Sequence, residues 1–190
     1  MKLLLINSVY GYGSTGKICA QIFKEHREKG DEVRVAFGRG EIPKGLEELF
    51  YKLTNKASFL NNVLKARLND NEGLNAKSIT KKLIKWADEY NPDVVWIHNL
   101  HGYYINYPML FRWLQSKSNI KVKWTLHDCW SFTGHCAYFD MAHCEKWKSG
   151  CENCPIRKNY PKALVDRSSK NYQIKKDAAL GKTKVQQAKN

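Results

Sequence analysis

Four of the six cysteines crowd one stretch of the chain: Cys136, Cys144, Cys151 and Cys154. Cys151 and Cys154 are separated by two residues and followed by Pro155, a bite suited to a single metal ion. Cys136 and Cys144 supply the two further thiolates that a tetrahedral Zn²⁺ site needs. A closed four-thiolate site of this kind is structural, with no open position for a substrate. His135 and His143 compete as ligands, and reduced or redox-active thiols are the rival reading. Disulfides are disfavoured because nothing in the sequence signals secretion. Cys19 and Cys129 read as small buried residues.

Two further clusters could do chemistry. Gly11-Tyr-Gly-Ser-Thr-Gly16-Lys17 nearly spells a nucleotide-triphosphate loop, but Ile18 stands where a hydroxyl should ligate magnesium. The alternative needs only backbone. Gly11, Gly13 and Ser14 let a diphosphate or substrate approach a helix N-terminus, whose free N–H groups favour negative charge. A tight turn that binds nothing is the bland reading of the same loop. His98-Asn99-Leu-His101 and His127-Asp128 form the other cluster. Imidazole can hydrogen-bond a phosphate or orient a sugar hydroxyl at neutral pH, although a single histidine is more often a structural residue. Asp128 is expected to orient its neighbour His127.

The apolar pattern predicts the elements that must hold these clusters. Lys2–Asn7 reads as a buried parallel strand, and the glycine loop follows it. Ile18, Cys19, Ile22, Phe23 and His26 fall at helical spacing, with Gly30 at the expected C-cap. Glu32–Gly38 alternates as a second strand, completing a βαβ unit. Residues 39–75 suggest broken helices. Ser78–Tyr90 and Pro108–Lys117 read as helices, VVWIH as a third strand ending at His98, and Lys121–His127 as a fourth. The fold class is therefore α/β: a Rossmann-like three-layer domain over residues 1–180, with a mostly parallel sheet and a cysteine-rich insertion at 128–155. Residues 181–190 form a polar, basic tail. Ligands of such sheets bind beyond the carboxyl ends of the strands, where all three polar clusters fall.

Charge narrows the partners. The chain carries a net charge of +14, and residues 146–190 hold 12 basic against three acidic side chains. An anionic partner follows: nucleic acid, acidic lipid or a phosphorylated small molecule. A zinc ribbon that binds nucleic acid is the rival, but the cysteine cluster interrupts an α/β domain and is not a freestanding module. No apolar run is long enough for a bilayer span or a signal peptide, so a cytoplasmic chain is expected.

Four segments carry a resemblance. INSVYGYGSTGK (6–17), NPDVVWIHNLHGYYIN (91–106), WTLHDCWSFTGHCAYF (124–139) and CEKWKSGCENCP (144–155) occur in an order that resembles bacterial family-four glycosyltransferases. More narrowly, they resemble those of capsule, exopolysaccharide and colanic-acid-type synthesis. The resemblance implies the N-terminal, acceptor-side domain of a retaining, two-domain GT-B enzyme. That enzyme would transfer sugar from a nucleotide-sugar to a saccharide or lipid-linked acceptor, at the inner face of the membrane. By the same resemblance His127 is the active-site histidine, and Gly13 and Ser14 approach the donor diphosphate. His98, Asn99 and His101 line the acceptor side, and no catalytic metal is needed. The donor-binding domain, with its paired glutamates, has no counterpart in these 190 residues. Either a second polypeptide supplies it, or the chain is a truncated product, or the domain is a non-catalytic binding or regulatory module.

Overall fold

Leu3–Ile6 is apolar at every position, as a strand covered on both faces must be. The structure, a computed structural model, describes residues 1–179. Its sheet comprises β1 (Lys2–Val9), β2 (Glu32–Arg39), β3 (Phe50–Lys52), β4 (Val94–Ile97) and β5 (Lys121–Trp124), in the order β3-β2-β1-β4-β5. All neighbouring pairs are parallel. The expected polar tail at 181–190 lies outside the described residues.

Alternate side chains of β1 serve opposite layers. Leu3 and Leu5 pack with Val33 and Val35 against Cys19 and Phe23 of α1 (Gly13–Glu28). Leu4 and Ile6 pack with Val95 and Ile97 against the other face. There they meet Leu83 and Ala87 of α3 (Lys77–Tyr90) and Leu110 and Phe111 of α4 (Tyr107–Ser116). This is the three-layer arrangement of a Rossmann-like fold. Gly30 ends α1 in the left-handed region with φ 82°, as its position at the C-cap predicts.

The stretch at 39–75 differs from the expectation of broken helices. It holds a single 3-10 turn at Glu47–Leu49, the short edge strand β3, and α2 (Lys56–Asn69). Asn55 and Ser58 form a capping box at the start of α2. β4 and β5 are also shorter than their apolar patterns suggest. The ladder continues only through backbone bonds from His98 N to Ile6 O (2.9 Å) and from Thr125 N to Ile97 O (2.8 Å).

Strand order reverses at β1. The chain moves outward through β2 and β3, then returns to β1's other side for β4 and β5. The carboxyl ends of β1 and β4 therefore flank the crevice where open parallel sheets take ligands. Residues 128–155 hold no strand or α-helix, only 3-10 turns at Asp140–Ala142 and Lys146–Lys148. α5 (Ser168–Ala179) closes the described chain and packs on α4.

Candidate functional site

Asn7, which directly follows the apolar run Leu3–Ile6 of β1, is fully buried and joins the loops at the crevice. Its amide group donates to Val9 O (2.9 Å) and Thr15 O (3.0 Å). Its carbonyl oxygen accepts from Ser8 N (2.9 Å) and Asn99 N (3.3 Å). One side chain thus ties the end of β1 to the first turn of α1 and to the segment after β4.

The glycine loop ends where α1 begins. Gly11 and Gly13 have φ of 79° and 63°, a region costly to residues with a Cβ. Gly16 is buried in α1, where an added Cβ would lie 3.1 Å from the Val9 side chain and 3.3 Å from Gly11 N. The small residue lets the helix start close to the strand. Tyr12, the N-cap, makes no side-chain cap bond, and the first turn has no acidic residue. An anion would therefore meet the positive end of α1 without competition from a local carboxylate. Beside it an open groove of about 710 Å³ is lined by Tyr10, Gly11, Tyr12, Gly40, Lys44 and Lys52, among others. Ile18 is half-exposed on α1 and offers no oxygen to a hard cation, which leaves the nucleotide-triphosphate loop without its metal ligand.

Histidines meet at the ends of β4 and β5. His98 Nδ1 lies 2.9 Å from His127 Nε2, and the rings stack at 5.2 Å with Trp96 stacked beneath His98. Burial, the neighbouring His127 and Lys123 push the His98 pKa down to about 3. His98 is thus neutral at physiological pH, and His98 Nε2 has no partner among the described residues. Burial also lowers the His127 pKa, against the opposing pull of Asp128. Two neutral imidazoles share the bond, one nitrogen donating and the other accepting. His127 is the half-buried member, and its other nitrogen can serve a ligand.

Asp128 does not pair with its neighbour His127. Its Oδ2 accepts from His101 Nε2 at 2.6 Å, while Oδ1 accepts from Trp130 N at 2.9 Å. Burial opposes its ionisation, but the His101 bond and charge and the Trp130 N–H outweigh this and hold the carboxyl below its ordinary range. His101 Nδ1 lies 2.9 Å from the Tyr160 hydroxyl, whose pKa is raised by burial. Carboxylate, imidazole and phenol therefore form a chain that occupies both ring nitrogens of His101. Glu72 is buried nearby. Its Oε1 accepts from Gly102 N at 2.6 Å, and Oε2 has no partner among the described residues. Burial raises the Glu72 pKa despite opposing contributions from His101 and Gly102 N–H.

Of the residues singled out in the sequence, His98 meets His127, His101 meets Asp128, and Asn99 joins the glycine loop through Asn7. The side chains of Ser14 and Asn99 make no hydrogen bond among the described residues, and Gly13 offers only backbone. Asn7, Glu72 and Tyr160 carry no motif. Only Asn7 left a sign, a buried polar residue directly after the apolar run of β1.

The four clustered cysteines line one cavity of about 20 Å³ with His135, Phe139 and Trp147. The neighbouring Cys154 thiol is the main influence that holds the Cys136 pKa below its ordinary range, against the opposing effect of burial. Gly134 N donates to Cys151 Sγ at 3.1 Å. All six cysteines are unbridged. Among the described residues, no three His, Cys, Asp or Glu side chains stand ready-grouped around a metal position. His135 Nδ1 is taken by Asp70 Oδ1 at 2.6 Å, and His143 is exposed outside the cavity. Buried Lys175 of α5 anchors the start of the loop, donating to Trp130 O (2.6 Å) and Thr133 O (3.0 Å). Burial pushes its pKa down to about 7.

No family model matches the chain. The chain is 42% identical over 81 residues to the colanic acid biosynthesis glycosyl transferase WcaC of Escherichia coli (strain K12). That match takes in 40% of this chain and 20% of the relative, so it spans about a fifth of the relative's length. The chain resembles glycosyltransferases of exopolysaccharide synthesis in this stretch. No helix among the described residues is long and apolar enough to cross a membrane.

Proposed function

We propose that this chain forms the acceptor-side half of a retaining nucleotide-sugar glycosyltransferase of cell-surface polysaccharide synthesis, working at the cytoplasmic face of the membrane. One observation carries the reading. The glycine loop, the 98–101 segment and His127 gather where the strand order reverses. In this reading the ring nitrogen of neutral His127 that does not face His98 hydrogen-bonds the transferred sugar or its acceptor hydroxyl. The start of α1 and the groove with Lys44 and Lys52 face the donor diphosphate. Asn99 lines the acceptor side with His98 behind it, while His101, held between Asp128 and Tyr160, stiffens that wall. The nucleotide itself belongs to a second domain, and the reaction is assigned no catalytic metal.

Amide chemical-shift mapping of the full chain with titrated saccharides and nucleotide-sugars tests the site. Perturbations should concentrate at 11–14, 98–102 and 127–128, and His127→Ala should abolish them with the fold intact. Saccharides that perturb only other surfaces would refute the assignment.

The same proposal includes a structural Zn²⁺ held by Cys136, Cys144, Cys151 and Cys154. Its support is the single small cavity they share and the N–H donated to Cys151 Sγ. When bound, the ion would cross-link a long insertion that lacks regular structure. Elemental analysis of protein purified without added metal should find one zinc per chain, lost in the Cys151→Ser/Cys154→Ser variant. Metal-free protein of unchanged stability in chelator would overturn it.

A further inference from the structure

Arg39, at the carboxyl end of β2, is a cation without a counter-charge. It pairs in register with Val9 of β1, and its carbonyl accepts from Tyr10 N at 3.0 Å, so it borders the glycine loop. Its guanidinium lies over the Phe59 ring of α2, 4.9 Å from the centroid. Nε is sealed from solvent and has no hydrogen-bond partner among the described residues. No carboxylate among them forms an ion pair with Arg39. Stacking occupies the face of a guanidinium and leaves the fork of N–H donors, which lies in its plane, free. A sealed, charged donor without a partner is costly, and such an atom in a folded protein asks for an explanation.

The neighbours of this cation are themselves held at some expense. Phe59 packs edge-on against Tyr103 at 5.9 Å, and Asn62 Nδ2 donates to Tyr103 O at 2.9 Å. These contacts hold Tyr103 in the left-handed region with φ 65°, a costly conformation for a bulky residue and one that gathers at binding sites. Burial, and then Glu72, raise the pKa of both Tyr103 and Tyr160, while the Arg39 charge pulls both down. Arg39 therefore acts on both phenols, and Tyr160 is the one that meets His101 Nδ1 at 2.9 Å. Glu72 acts on the same two phenols, but it is committed to Gly102 N and forms no ion pair with Arg39. Tyr160 is 46% exposed, so a cation and a half-open aromatic ring stand beside the wall that carries His101.

We infer that Arg39 binds an anionic group, carboxylate or phosphate, carried by the saccharide acceptor. A planar fork takes two oxygens at once, which suits either group. The inference rests on the acceptor-side reading of the crevice. There the donor diphosphate meets the start of α1 with Lys44 and Lys52, and the acceptor runs along the 98–101 wall. Arg39 belongs with that wall through Tyr160, so an anion bound by it belongs to the acceptor. A neutral acceptor would offer the guanidinium no counter-charge.

The test is an amide chemical-shift titration of the full chain with methyl glucoside, its 6-phosphate, methyl glucuronide and the neutral methyl glucuronamide. At least one anionic sugar should bind at least about tenfold tighter than the neutral ones, adding shifts at 39, 103 and 160 to those at 98–102. A larger gain for the uronate assigns a carboxylate, and a larger gain for the 6-phosphate assigns a phosphate. Arg39→Gln should abolish the gain, and Arg39→Lys, which keeps the charge but loses the fork, should restore only part of it. Tm should not fall in either variant, whereas an Arg39 that merely braces Phe59 would lower Tm and leave the anionic gain intact. Arg112→Gln, exposed on α4, removes the same charge elsewhere and should change nothing. Anionic sugars no tighter than neutral ones, or a gain that survives Arg39→Gln, would overturn the inference. Inorganic phosphate and acetate keep the two readings apart. Shifts they cause at 103 and 160, lost in Arg39→Gln, support the anion site, while saccharides that never perturb 98–102 and 127–128 refute the acceptor-side reading.

Discussion

Asp70 is the side chain on which the cysteine loop most depends. It ends α2 in the left-handed region with φ 45° and is 4% exposed. Oδ1 accepts from His135 Nδ1 at 2.6 Å, Oδ2 from Arg167 N at 2.8 Å, and the backbone carbonyl from Asn171 Nδ2 at 2.6 Å. One residue thus holds α2, the 128–155 loop and α5 together. Asp70→Ala strands the buried His135 ring, whose Nε2 already lacks a partner among the described residues, and leaves Arg167 N–H unpaired. Each stranded buried donor costs about 1–3 kcal/mol. A methyl-bearing residue in the left-handed region adds about 1 kcal/mol. A loss of about 4 kcal/mol follows, a large share of the roughly 5–15 kcal/mol that stabilises a domain. Asp70→Asn keeps one acceptor and tolerates the backbone conformation, so it should lose only about 1–2 kcal/mol. Urea unfolding, followed by tryptophan fluorescence and circular dichroism, measures both. If Asp70→Ala falls within about 1 kcal/mol of the parent, or matches Asp70→Asn, the bonding argument fails.

Other consequences are equally direct. Gly134→Ala would drive a methyl group into Ser168 O and to 2.6 Å from Cys151 Cβ, so it should cost about 3 kcal/mol and loosen α5; a neutral urea midpoint would refute this. Between pH 6.5 and about 3, unfolded His98 binds a proton that the folded ring refuses, so stability falls on acidification. The loss should approach about 1.4 kcal/mol per pH unit over most of that window, and His98→Phe should flatten the slope above pH 4; an unaltered slope in the variant would exclude His98 as its source.

The sheet was legible where strands are buried on both faces, because β1, β2 and β4 leave a continuous or alternating apolar trace. β3 was not, since three residues of an edge strand cannot be distinguished from a turn among scattered leucines. α2 misled for a physical reason: its regular leucines face outward, while Asn62 and Ala66 face the protein. The strand-end rule anticipated that His98 and His127 lie together beyond the strands, whereas sequence adjacency misassigned Asp128 to His127. Asp128 lies in the bend that follows β5 and reaches His101, 27 positions earlier, instead of His127. Asp70, Glu72, Tyr160 and Lys175 find their partners across long separations, and no local spacing announces such contacts.

The His98–His127 and His101–Asp128 pairs divide the site electrostatically. His101 is bound to an ionised carboxylate and capped by a phenol, so its nitrogens are committed within the protein. His98 is buried so deeply that protonation is resisted far into acid. His127 differs from both. It is half-buried, its pKa is lowered chiefly by lost solvent, and only one ring nitrogen is engaged. A diphosphate arriving at the start of α1 would bring negative charge to the same crevice and raise that pKa, since a nearby anion favours imidazolium. His98 can answer by presenting an unprotonated Nδ1 to a donating His127 Nε2, which needs its own proton on the partnerless Nε2. A bound anion can therefore change the charge of His127, and His98 is the neighbour whose tautomer lets it do so.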